Sequence, residues 1–225
     1  MKPDIGIVYE NEHYVVVHKP AGIPVQTASV RTPDVCSILK NRFGGGYLGV
    51  IHRLDQPVEG LLVFARDKLA AASLTDQLTS GKLRKSYMAV TFGEGDISGT
   101  DVCYMKKTSD NICVIGEGEG YKRAELKYEL LGKASGTSLY RIEIATGRFH
   151  QIRAQMAGLG LPLLGDMKYG SRESLESSRK MNVNVPALCA DRLEFTDPTD
   201  GCDRFFNVLP ENPAFGIYDK ELFKK

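Results

Sequence analysis

The chain has 225 residues, 42% of them apolar and 25% charged, with a formal net charge of +1. This composition belongs to a globular protein with enough chain for one substantial core, in one domain or two, and excludes disordered and fibrous classes. No apolar run approaches the about 18 residues of a transmembrane helix, and Met1-Lys2-Pro3-Asp4 lacks the basic-then-apolar pattern of a signal peptide.

The five cysteines (Cys36, Cys103, Cys113, Cys189 and Cys202) are odd in number and form no CxxC pair. They argue against a disulfide framework or zinc knuckle and suit a reducing cytoplasm. Basic residues gather at Lys82/Arg84/Lys85, Lys106/Lys107, Lys122/Arg123 and Arg148/Arg153, whereas acidic ones gather at Glu117/Glu119 and Glu173/Glu176. Such a distribution permits nucleic acid binding without requiring it, since charge clusters are also solvated faces.

In chain order, β-branched and aromatic residues on both sides of Glu10-Asn11-Glu12 predict a hairpin over residues 5–19, stopped by Pro20, Gly22 and Pro24. Cys36 to Lys40 predicts a short helix ended by Gly44-Gly45-Gly46. The apolar run Leu61 to Ala65 follows a turn at Gln56-Pro57 and predicts a buried strand. In front of it lie His52, Arg53 and Asp55. A carboxylate removed from water needs a cation or backbone donors, so Asp55 is either paired or a turn-capping residue.

Asp67 is a good N-cap for a helix over residues 68–80, with Ala70, Leu74 and Leu78 on one face. A strand follows over residues 85–90 and carries Tyr87. Residues 93–120 are glycine-rich, irregular, and predicted as a loop-bearing edge insertion. Alternation at Ala124, Leu126, Tyr128 and Leu130, and again at Tyr140, Ile142 and Ile144, predicts an antiparallel pair.

Phe149, Ile152, Met156 and Leu159 step by three and four, which predicts a helix burying that stripe, with Gly147 allowing a close passage into it. Arg148 and Arg153 fall near its N-terminal half, where the helix dipole disfavours cations. An anion nearby would account for them, and Arg153 is the candidate counter-cation for Asp55.

His52-Arg53-Leu54-Asp55 followed by Gly60-Leu61-Leu62 resembles the signature of the RluA-type pseudouridine synthases. Other parts of the chain match the same family in the same order. These are Val15-Val16-Val17-His18-Lys19-Pro20-Ala21-Gly22-Ile23, Lys85-Ser86-Tyr87, Thr146-Gly147-Arg148-Phe149-His150-Gln151-Ile152-Arg153, Leu164-Gly165-Asp166-Met167-Lys168-Tyr169-Gly170, and Leu188 to Phe195. The resemblance spans residues 10–208. Two departures are Gln155, where histidine is common, and Pro57-Val58-Glu59, where a Thr-Ser pair is common; both bear on substrate contacts.

The resemblance implies an α+β fold, with a mainly antiparallel mixed sheet, flanking helices and a central active-site cleft. It implies a single catalytic domain over residues 1–225 with no separate N-terminal RNA-binding domain. It also implies isomerisation of uridine in ribosomal or transfer RNA; the cysteine usage suits the cytoplasm, and a monomer is the default expectation. The reaction needs no redox cofactor, nucleotide or metal. The implied catalytic residues are Asp55, Tyr87 and Arg153. Arg53 is implied to fill the gap left by a flipped base. His52, Arg148, His150 and Lys168 are candidates for RNA contact, and Lys19 for seating its backbone. Competing readings are a metal-dependent hydrolase using His52, Asp55, His150 and Asp166, and a silent RNA-binding module of the same fold. Arginine crowding opposes the first. The joint presence of Asp55, Tyr87 and Arg153 opposes the second.

Overall fold

Tyr14-Val15-Val16-Val17 is apolar on both sides of its pleat, and the chain buries both sides: all four residues are inaccessible to solvent. In the structure, a computed structural model that describes residues 5–27, 32–95 and 98–224, this run is the second of eleven strands. The elements in order are β1 (Gly6–Glu10), β2 (Tyr14–Lys19), α1 (Val35–Arg42), β3 (Gly49–Val50), β4 (Glu59–Ala65), α2 (Lys68–Thr79) and β5 (Arg84–Phe92). They continue with β6 (Ser98–Lys107), β7 (Cys113–Ile115), β8 (Lys122–Ala134), β9 (Thr137–Ile144), α3 (Gln151–Gly158), α4 (Arg172–Lys180), β10 (Leu188–Thr196) and β11 (Asp203–Asn207).

The chain divides into two compact units, Met1–Lys85 with Ala190–Leu209, and Ser86–Cys189 with Pro210–Lys225. In the first, β2 pairs antiparallel with β1 on one side and β4 on the other, and β10 pairs antiparallel with β11. Helix α2 covers this sheet through Ala70 and Leu74, which pack with Tyr14, Val16, Leu61, Val63, Leu193 and Phe195. Asp67 caps α2 by accepting from the Ala70 N–H at 2.8 Å, as its residue type predicts. The Tyr14 hydroxyl donates to buried Asp197 at 2.7 Å, so this polar group of the core is satisfied.

In the second unit β5, β9, β8, β6 and β7 follow one another in an antiparallel sheet. The stretch predicted as a loop-bearing edge insertion does lie at the end of the strand order, but nearly half of it is strand. Glycines there obscured an alternation that backbone pairing completes. Helix α3 packs through Ala154 on Met105, Cys113 and Ala124.

The predicted stripe on α3 holds only in part. Ile152 and Met156 are buried, but Phe149 precedes the helix and Leu159 follows it with 37% exposure. The helix starts late because His150 takes a left-handed backbone (φ 52°). Gly147 makes no close approach: a Cβ there would meet nothing within 4 Å. Helix α4 is capped by Ser171, whose side chain accepts from the Ser174 N–H.

Candidate active site

In the loop between β3 and β4, Ile51, His52 and Leu54 are buried, Arg53 is exposed, and Asp55 is half-buried. The Val58 N–H donates to the Asp55 carbonyl at 3.0 Å and closes the turn through Pro57. From the other side Lys19, fully buried, anchors this turn. Its ammonium donates to the carbonyls of Pro20 (3.0 Å), Ile23 (2.8 Å) and Gln56 (3.0 Å). Gln56 and Gly22 add two reciprocal bonds. Lys19 is thus the staple that joins the Lys-Pro turn to the residue after Asp55.

Burial pushes the Lys19 pKa down to about 8, against the attraction of Asp55 and Glu59. It remains charged at neutral pH, and its three N–H bonds match its three acceptors. Replacing Lys19 by methionine keeps the volume but removes the donors from Pro20 and Ile23. A loss of about 2–3 kcal/mol is expected in urea unfolding; a change under about 0.5 kcal/mol would show that the staple contributes nothing.

His52 is interior, with 7% exposure, and its Nε2 accepts from the Val63 N–H at 3.4 Å. Burial, aided by Lys85, holds its pKa well below the usual histidine value. A neutral, buried ring suits holding the loop on β4 better than touching a phosphate. Burial also lowers Lys85, to about 8.

In the second unit, Tyr87 lies opposite Ile142 on β9 with 5% exposure. Arg153 is held by Asp166 in a fork: Nε donates to Oδ2 and Nη2 to Oδ1, both at 2.7 Å. The two side chains are 4% and 0% exposed. The anion anticipated beside α3 is therefore present. Asp166 was not expected to supply it. The Tyr169 ring lies 5.2 Å from the guanidinium, and its hydroxyl accepts from the Cys113 N–H at 2.7 Å while lying 2.9 Å from His150 Nδ1. Phe149 stacks on His150 at 3.8 Å, beneath Lys107 at 4.5 Å.

The candidate RNA contacts thus fall into two groups. Arg53, Arg148 and Lys168 are exposed; Arg148 Nε donates to the Arg123 carbonyl and Lys168 Nζ to that of Asn111. His52 and His150 are buried. Gln155, at the position of a common histidine, is inaccessible and donates to Asp101 Oδ2 at 2.6 Å. Asp166 and His150, considered above as metal ligands, are engaged by Arg153 and Tyr169. No helix among the described residues is long and apolar enough to cross a membrane.

These strands and helices form the pseudouridine synthase fold. Human RNA Pseudouridylate Synthase Domain Containing 4 superposes with a TM-score of 0.76 over 94% of this chain and 92% of that one, at 21% identity. Domain Containing 1 gives 0.74 over 93% and 86%, at 23% identity.

The pattern described as RNA pseudouridylate synthase matches residues 13–158. Ribosomal large subunit pseudouridine synthase D of Zymomonas mobilis is 31% identical over 88% of this chain and 66% of its own length. The RNA pseudouridine synthase YlyB of Bacillus subtilis is 32% identical over 94% and 71%, and synthase C of Rickettsia felis is 32% identical over 84% and 64%. The chain belongs to the RNA pseudouridylate synthase family, and spans about two thirds of the length of these curated relatives.

Proposed function

We propose that this chain isomerises one or a few uridines of structured RNA to pseudouridine, with ribosomal RNA the first candidate and transfer RNA the second. The observation that carries this reading is the ordered set of family motifs around Asp55, Tyr87 and Arg153. The preference for ribosomal RNA rests on two of the relatives above, which are named as large-subunit synthases. Residues 1–225 act as one catalytic domain in this reading.

In the reaction the bond from uracil N1 to ribose C1′ breaks, the base turns, and C5 bonds to C1′. The C5 proton then leaves and N1 gains one, so atoms and electrons balance without a redox partner. Asp55 acts at the sugar or base as nucleophile or as base. Arg153 is the cation this reading assigns to the reaction, because a guanidinium stays charged and this one is held in place by Asp166. Tyr87 accepts the C5 proton and stacks on the flipped base.

Flipping a base costs a few kcal/mol. The exposed guanidinium of Arg53, two residues before Asp55, fills the vacated stack. Arg148 and Lys168 meet phosphates. The buried His52 and His150 hold the Asp55 loop and the start of α3, respectively.

The test is pseudouridine mapping of total RNA from cells lacking this protein. One or a few sites are expected to lose the modification and to regain it with the wild-type gene. An unchanged map, together with no conversion of those RNAs by purified protein, would leave only RNA binding.

A further inference from the structure

We propose that Asp166 is a positioning residue that sets the orientation of Arg153 against the strand carrying Tyr87, with Tyr169 as its second support. This rests on the reading of Arg153 given above. It adds a carboxylate that neither touches RNA nor reacts.

An arginine projecting from the first turn of a helix has many rotamers, so its charge alone does not place it. Here the fork takes Nε and Nη2 together, at 2.7 Å each. Two parallel bonds to one planar group fix the guanidinium plane as well as its position. The carboxylate is itself immobilised: its Oδ1 accepts from the Lys168 N–H at 3.0 Å and the Tyr169 N–H at 3.4 Å. Its backbone carbonyl accepts from the Gly170 N–H at 2.8 Å, and the preceding Gly165 N–H donates to Ser178 Oγ at 2.8 Å.

This segment is also tied to β5. Leu163 bridges Thr91, and the Leu164 N–H donates to the Val90 carbonyl at 3.0 Å. Val90 is three residues along β5 from Tyr87. A continuous, short path of backbone bonds therefore runs from the Tyr87 strand to Asp166, and two side-chain bonds run from Asp166 to Arg153.

Tyr169 completes the bracket from the other direction. Its ring lies beside the guanidinium, and its hydroxyl joins His150, the residue before α3, to the backbone of Cys113 on β7. Every member of this bracket lies in the second unit. If the charge of Asp166 served stability alone, its effect on turnover would not depend on what stands at position 153.

The test is a double-mutant cycle with single-turnover rates and RNA affinity measured for each protein. Asp166→Asn preserves the acceptor for the two backbone N–H groups but puts an amide donor where the fork needs an acceptor. It is expected to lower turnover by about 30- to 100-fold, the scale of a small misplacement of a catalytic group, with RNA affinity within about twofold of wild type. Lysine cannot make the fork, so Arg153→Lys should itself be slow. Asp166→Asn in that background should cost no more than about threefold further. Wild-type turnover in Asp166→Asn, or a double mutant as slow as the product of the two single effects, would overturn the proposal.

If circular dichroism shows Asp166→Asn unfolded, Tyr169→Phe carries the test. It keeps the ring beside Arg153 and removes only the hydroxyl bridge, and a fall in turnover of about three- to tenfold at unchanged RNA affinity is expected. Wild-type turnover there would overturn the proposal. Full activity in Arg153→Ala would overturn the role of Arg153 itself, and so separates that failure from a failure of Asp166.

Discussion

Asp55→Asn is expected to lower pseudouridine formation by about 10³-fold or more, with RNA affinity within about threefold of wild type. Asparagine has the size of aspartate but neither its charge nor its nucleophilicity or basicity. The local fold has little reason to change, because the turn is closed by the Asp55 backbone carbonyl, which accepts from the Val58 N–H. The Lys19 staple likewise bonds a backbone carbonyl, that of Gln56. The substitution therefore removes the reactive group and leaves these two backbone acceptors in place. Conversion of a labelled RNA under single-turnover conditions measures the chemistry, and a binding titration measures affinity. A variant that binds RNA and still converts it at a rate within tenfold of wild type would remove Asp55 from the chemistry. In cells lacking the protein, the same variant should fail to restore the missing modification.

The sequence made strands and helix starts legible where one physical signal dominates. Tyr14 to Val17 and Leu61 to Ala65 are apolar throughout and became buried strands. Asp67 was legible as a cap because a short acceptor before an amphipathic run has few other uses. The strand over Ser98–Lys107 was not legible, since its identity depends on pairing with residues 122–129, which are distant in sequence. The start of α3 was missed by two residues because the left-handed backbone of His150 leaves no periodic trace.

At the site, residue types and motif order drew attention to Asp55, Tyr87 and Arg153, but side-chain pairing depends on three-dimensional approach. Arg153 illustrates this. A cation near a helix start correctly implied an anion, yet nothing in the local pattern distinguished Asp166 from Asp55. The one usable signal was the Gly165-Asp166 pair, a buried carboxylate in a tight turn, which requires a cation if it is removed from water. His52 and His150 are the reverse case: motif membership suggested RNA contact, whereas burial assigns them to the interior.

Gly60→Ala is expected to cost about 4–5 kcal/mol of stability, a large share of the roughly 5–15 kcal/mol typical of a domain. Two independent penalties combine. Gly60 has φ +129°, a backbone conformation that L side chains rarely adopt. An added Cβ would also lie 2.4 Å from the Ala190 nitrogen, 2.5 Å from its carbonyl oxygen and 2.7 Å from its Cα. These are backbone atoms, so no rotamer change can relieve the clash. The only relief is to separate β4 from the chain at Ala190, and Gly60 is also the register partner of Lys19 on β2. Moving it would disturb the Lys19 staple, and with it the turn that presents Asp55. Gly147→Ala is the control, because that site is open and its φ is not positive; its unfolding midpoint should stay within about 0.5 kcal/mol of wild type. Urea unfolding of both variants measures the difference directly. A Gly60→Ala protein within about 1 kcal/mol of wild type would mean that β4 can draw back from Ala190 at little cost. The glycine five residues after Asp55 would then not be set by this close approach, and the Asp55 loop would be softer than the packing at Gly60 requires.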